Sequence, residues 1–159
     1  DDVPPRKGNT RRWRTFGLDL HADGALTLKR CAVEPGNASL TFGDAGAGPG
    51  EEQFRRMGFV KYWLNGSVRD WLCMQRPPRV KIHAQDTSEV AGHRVERIEG
   101  TRPASGLKRL LGKRQRFEAA AWVCPADGRL YSVSRLRNGG QNGRLKLVGE
   151  KLSCCGKLH

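Results

Sequence analysis

Five cysteines and four histidines are the residues of this 159-residue chain with the widest chemical reach. Cys124, Cys154 and Cys155 together with His159 would make up a Cys3His set, a donor combination that binds zinc. The short paired spacing that usually marks such a site, C-x2-C, is missing. Cys73 (in Trp71-Leu72-Cys73-Met74) and Cys124 (after Trp122-Val123) sit in apolar runs, where a thiol packs as a small hydrophobe. An odd number of cysteines does not complete a disulfide framework. One bridge drawn from Cys124, Cys154 and Cys155, or reaching Cys31, fits an oxidising compartment, whereas a bond between the neighbours 154 and 155 is strained. The spacing therefore predicts structural thiols with a candidate disulfide among Cys124, Cys154 and Cys155. It predicts no metal and no other cofactor.

His83 and His93 fall on neighbouring predicted strands and could face one another across a hairpin. With Lys81, Glu96 or Glu99 nearby, one imidazole would take a 2′-hydroxyl proton and the other would protonate the leaving oxygen of an RNA phosphodiester. Two histidines without a surrounding motif are more often solvated strand residues. No G-x-S-x-G or H-E-x-x-H signature occurs, and Gly43–Gly50 lacks the spacing of a phosphate loop. The chain reads as a non-enzyme, with an RNase using His83 and His93 as the alternative.

The net charge of +13 is unevenly placed. Residues 1–14 carry five basic and two acidic residues, 15–101 are balanced at eleven of each, and 102–116 hold six cations and no acid. Residues 129–159 hold seven cations against Glu150 alone. A field of this sign attracts acidic protein surfaces, nucleic acid or anionic lipid. The expected partner-binding residues are Arg11, Arg12 and Arg14 near the start, and Arg102, Lys108, Arg109, Lys113, Arg114 and Arg116 in the basic excursion. The Arg129–Lys157 region adds to them. The expectation is an accessory domain that docks on an acidic or anionic partner, with nucleic-acid binding as the alternative.

The elements that must carry these residues are mostly strands. Residues 1–12 read as a flexible basic tail and 13–159 as one domain, with 102–116 an excursion from it. An opening at Asp1 that resembles a linker fits a processed or excised chain, with an extracytoplasmic setting one reading. The longest apolar run, Ala119–Cys124, is far short of the roughly 20 residues a membrane span needs. Alternation marks strands over Trp13–Leu20, Leu26–Val33, around Leu40 and Phe42, Phe59–Leu64, Val80–Ala84, His93–Thr101, Phe117–Cys124 and from Leu130. Val95 and Ile98 lie on opposite faces of their strand, which requires a bulge or burial on both sides. Ser67 with Asp70 three residues on predicts a capped helix stopped by Pro77-Pro78. Leu145, Val148 and Leu152 have the spacing of a final helix. The predicted class is α+β: a curved, mostly antiparallel sheet of six to eight strands packed against two short helices.

Overall fold

The computed structural model describes residues 10–44, 50–104, 113–138 and 151–155. Ten strands and two short helices follow one another in these segments. The strands are β1 (Thr10–Thr15), β2 (Leu18–Asp23), β3 (Leu26–Glu34), β4 (Asn37–Asp44) and β5 (Glu51–Met57). After helices α1 (Val60–Trp63) and α2 (Val68–Met74) come β6 (Lys81–Val90), β7 (His93–Pro103), β8 (Arg114–Val123), β9 (Leu130–Asn138) and β10 (Leu152–Ser153). All pairings are antiparallel. They form a seven-stranded sheet in the order β3-β4-β5-β9-β8-β7-β6 and a three-stranded sheet in the order β1-β2-β10. The α+β expectation holds, with a second sheet that periodicity did not resolve.

The central strands of the large sheet are buried on both faces, while the edge strands β3 and β6 are mostly exposed. One face carries Leu40, Phe42, Phe54, Val95, Ala120, Trp122, Tyr131 and Val133, and the small sheet covers it with Leu18, Leu20, Ala22 and Leu152. Trp13 of β1 meets Phe42 edge-on, with centroids 5.2 Å apart. The other face carries Ile98, Phe117, Ala119, Ala121, Leu130 and Leu136, and the helices cover it with Val60, Trp71 and Leu72. Val95 and Ile98 thus enter different cores, so two-sided burial is the answer to their spacing. Burial on both faces also makes Ala119–Val123 of β8 a near-continuous apolar run.

Several elements differ from the sequence expectation for identifiable reasons. The strand expected over Trp13–Leu20 is two strands, because Phe16 and Gly17 both take positive φ, at 51° and 72°, and make a two-residue hairpin turn. That strand pair begins at Thr10, so Arg11 and Arg12 belong to the sheet and not to a tail. The strand expected at Phe59–Leu64 lies earlier, at Glu51–Met57, and Val60–Trp63 is a helical turn. Its inward alternation was hidden because one inward residue is Glu52, buried at 1% exposure. The polar stretch after Ala84 continues strand β6 to Val90, and the turn falls at Ala91-Gly92, again with positive φ at both. Leu152 is in a strand beside Leu20 and not in a helix, while Leu145 and Val148 of the expected final helix lie outside the described residues. The capped helix is as expected: the Ser67 side chain accepts from Asp70 N–H and the Asp70 carboxylate accepts from Ser67 N–H.

Candidate functional site

Three chain segments meet at one end of the core below the small sheet. The Ala91-Gly92 turn delivers His93, which is 3% exposed. Cys124 follows β8 at the mouth of a closed turn, with its N–H donating to Arg129 O and its carbonyl accepting from Gly128 N–H. Leu152, fully buried beside Leu20, pulls Cys154 and Cys155 against the same spot. The four donor atoms of His93, Cys124, Cys154 and Cys155 all lie within 4.8 Å of one another. His93 Nε2 is 3.2 Å from Cys154 Sγ and 3.7 Å from Cys155 Sγ, and the two sulfurs are 3.9 Å apart.

Two outer contacts orient the group. His93 Nδ1 lies 3.0 Å from Ala91 O, which directs Nδ1–H to that carbonyl and turns the Nε2 lone pair toward the sulfurs. Trp122 Nε1–H points at Cys154 Sγ, 3.5 Å away. Burial pushes the Cys154 thiol up to about 12, with the neighbouring Cys124 and Cys155 adding to the rise against the Trp122 hydrogen bond. His93, Cys124, Cys154 and Cys155 are the residues here that could hold a metal ion.

The structure revises the sequence expectations for these residues. All five cysteines are free thiols, so the candidate disulfide among Cys124, Cys154 and Cys155 is not formed. Cys31 is exposed on edge strand β3 and Cys73 sits on α2, both away from the cluster. His159, the histidine that spacing grouped with the cysteines, lies outside the described residues. His83 and His93 do not face one another. His83 occupies the irregularity opposite Gly100, and His93 pairs with Val90 at the other end of the hairpin. Seven residues of strand, roughly 23 Å at about 3.3 Å each, separate the two levels. His93 is buried among thiols while His83 is exposed, so they cannot share a phosphodiester.

A second constellation is electrostatic. Glu52, Arg135, Glu118 and Glu99 stand at successive register positions across β5, β9, β8 and β7. Arg135 is held between Glu118 at 3.2 Å and Glu52 at 3.7 Å, and Lys151 donates to Glu52 at 2.6 Å. Arg116 reaches Glu99 at 2.9 Å and Glu118 at 3.1 Å. Three acids and three bases form the row, so Arg116, Arg135 and Lys151 are engaged in internal pairs and the net positive surplus rests on other residues.

The expected partner-binding residues divide accordingly. Arg116 is committed to Glu99 and Glu118. Arg12 and Arg14 both reach Asp19, at 2.7 and 3.1 Å, and the Arg12 hydrogen bond is the main reason the Asp19 carboxyl is held below its usual range. Arg102 donates to the buried Gln115 at 2.7 Å. Lys108 and Arg109 lie outside the described residues. Arg11, Lys113 and Arg114 are exposed and make no ion pair among the described residues.

Lys113 and Arg114 have company that the charge count overlooked. Pro103 pairs with Arg114 at the end of the large sheet, and Ala104 N–H donates to Lys113 O. A groove at this end is lined by Met74, Arg76, Pro77, Pro78, Arg79, Val80, Lys81 and Pro103, with three cations and no acid. Averaged over the balanced stretch 15–101, these cations vanish. The fold separates them from the acids that cancelled them on paper.

No family model matches the chain, and no curated protein matches it. Among solved structures it is similar in outline to a crystal structure of a Pseudomonas aeruginosa protein of unknown function, at 12% identity over 83% of this chain and 85% of that one, with a TM-score of 0.40. A likeness at that level carries nothing about function, and the reading below stands on this chain's own residues.

Proposed function

We propose that this domain is a non-enzymatic interaction module that docks on an acidic protein surface through the basic end of its large sheet. The observation that carries the reading is the groove lined by Arg76, Arg79 and Lys81 with no acid among its described lining residues, beside whose Pro103 the backbone of Arg114 is paired. Its floor is apolar, with Pro77, Pro78, Val80 and Pro103, and Met74 beside them is 68% exposed. A flexible thioether on a surface adapts to apolar side chains of different shape. Cations around an apolar floor suit an acidic segment with interspersed apolar residues, and the charges speed and steer the encounter. Nucleic acid is less well served, because none of the lining residues is aromatic and base stacking is a main source of affinity for single strands.

The test is binding of a labelled acidic peptide containing leucines, compared with random-sequence RNA. The variant Arg76→Glu/Arg79→Glu/Lys81→Glu should weaken peptide binding at least about tenfold, since each reversal replaces attraction by repulsion. Arg12→Glu/Arg14→Glu, at residues engaged with Asp19, should change it far less. Equal loss in both variants would point to net charge alone and overturn the reading. So would tight RNA binding with a steep salt slope and no peptide binding.

A further inference from the structure

We propose that His93, Cys124, Cys154 and Cys155 form a structural zinc site that fastens the last described strand to the body of the domain. The donor set is the soft sulfur and imidazole combination that zinc prefers, in the number that fills its tetrahedron. With Zn–S near 2.3 Å and Zn–N near 2.0–2.1 Å, a tetrahedral ion sets its ligand atoms roughly 3.6 Å apart for N and S and roughly 3.8 Å apart for two sulfurs. The observed N–S separations of 3.2 and 3.7 Å bracket the first value, the S–S separation of 3.9 Å lies close to the second, and the Cys124 sulfur is within 4.8 Å of the other three donors.

The surroundings fit a metal better than they fit packing or a disulfide. An apolar core gains nothing from an imidazole turned edge-on to sulfur atoms. His93 is nevertheless fixed in that pose by Nδ1–H to Ala91 O, the kind of outer contact that orients a metal-bound histidine. Trp122 Nε1–H points at Cys154 Sγ, where it would stabilise a bound thiolate. A disulfide between any two of the thiols leaves the third cysteine and the histidine facing it without purpose. Four protein donors leave no open position, so the site is structural and not catalytic.

The topology supplies the reason for such a clamp. Strand β10 holds two residues and pairs with β2 through Leu152 and Ser153 alone. The four ligands come from the β6–β7 turn, the end of β8 and the segment after β10. One ion thus joins the neighbouring ends of β7 and β8 to the segment after β10, a strand that pairs with neither. Binding displaces a proton from each coordinating thiol to solvent and leaves the sulfurs as thiolates, with no change of oxidation state.

The experiment uses the full chain purified under reducing conditions. Elemental analysis should find one zinc per chain. Replacement by Co2+ should give the thiolate charge-transfer band and the visible bands of a tetrahedral site. His93→Ala and Cys154→Ser should each weaken metal binding by more than about 100-fold, beyond what loss of an outer-shell contact costs. Cys31→Ser and Cys73→Ser should bind as the parent does. Because ligand variants could unfold, the parent protein is also stripped with a chelator. It should lose thermal stability and regain it on adding one equivalent of zinc. A parent chain that carries no zinc and gives no cobalt–thiolate spectrum overturns the proposal. So does a parent mass lowered by the two hydrogens of a disulfide that persists under reductant, or unchanged metal binding in Cys154→Ser.

Discussion

Nε2 of His93 and Sγ of Cys154 are 3.2 Å apart, although the residues stand 61 positions apart in the sequence. Everything that brings them together is non-local. His93 is placed by the Ala91-Gly92 turn, and Cys154 follows a strand held by the burial of Leu152 between Leu20 and the large sheet. The small sheet is therefore closed over the core from its C-terminal end. Lys151 supports the closure from one residue before the strand, through its 2.6 Å bond to Glu52. The same end of the chain thus contributes to the sulfur–imidazole cluster and to the buried charge row.

Arg135 is the central cation of that row, and its removal should be among the most damaging single substitutions. Arg135→Met keeps much of the side-chain volume but removes one of the cations of Glu118, which keeps Arg116, and one of the two of Glu52, which keeps Lys151. Breaking a buried pair from one side costs about 3–5 kcal/mol, because a charge stays behind in a poor solvent. Urea unfolding of the two proteins should show this difference. Arg135→Met/Glu118→Gln should recover part of it, since it also removes one of the two buried carboxylates that face Arg135. A loss under about 1 kcal/mol in the single variant would mean that water reaches the row.

Gly100 provides a steric prediction at the basic end of the sheet. A Cβ at this position would lie 2.7 Å from Val80 Cγ1 and 2.8 Å from the Lys81 carbonyl oxygen. The first contact can yield by a rotamer change, but the second is backbone. Gly100→Ala should push β6 away from β7 at Lys81 and cost about 1–3 kcal/mol, as overpacking does. Because Arg79 and Lys81 move with it, the acidic-peptide affinity should fall as well, measured at a temperature where the variant is folded. Gly92, where an added Cβ meets nothing, is the control for stability only, since its φ of 77° carries a backbone strain of its own.

The sequence exposed what is local and concealed what depends on faces. The capping box at Ser67 and Asp70 could be read because four consecutive residues contain the whole motif. Strand β8 could be read because burial on both faces makes Ala119–Cys124 uniformly apolar. Strand β5 could not, because an inward Glu52 breaks the alternation, and its partners Asp23 N–H, Arg135 and Lys151 on distant segments make that burial tolerable. Of the sulfur–imidazole cluster, the three cysteines were visible as a group, but His93 was not visible as their neighbour. Sequence proximity favoured His159, whereas the antiparallel β6–β7 hairpin carries His93 to the sulfurs. The paired two-residue turns were the usable hint: Val90-Ala91-Gly92-His93 reads as a hairpin tip, and a histidine immediately after a tip lies at the end of the sheet.

Glu96 sets a pH prediction with a definite sign. Burial pushes its carboxyl up, but hydrogen bonds from Thr87, Arg69 and Arg94 outweigh this and hold it below the ordinary value of 4.5. The Arg69 and Arg94 contacts are 2.8 and 3.0 Å. A carboxyl whose folded-state value is lowered adds stability that is complete above the unfolded value and is lost as the pH falls through the folded one. The parent protein should therefore lose this contribution below about pH 4.5, and Glu96→Gln should lack it at every pH. Plotted against pH, the stability gap between the two should be level above pH 5 and close toward more acid solution. A gap that widens on acidification would show that Glu96 is held in its neutral form, and that the Arg69 bridge from helix α2 to strand β7 is not what anchors the helix layer.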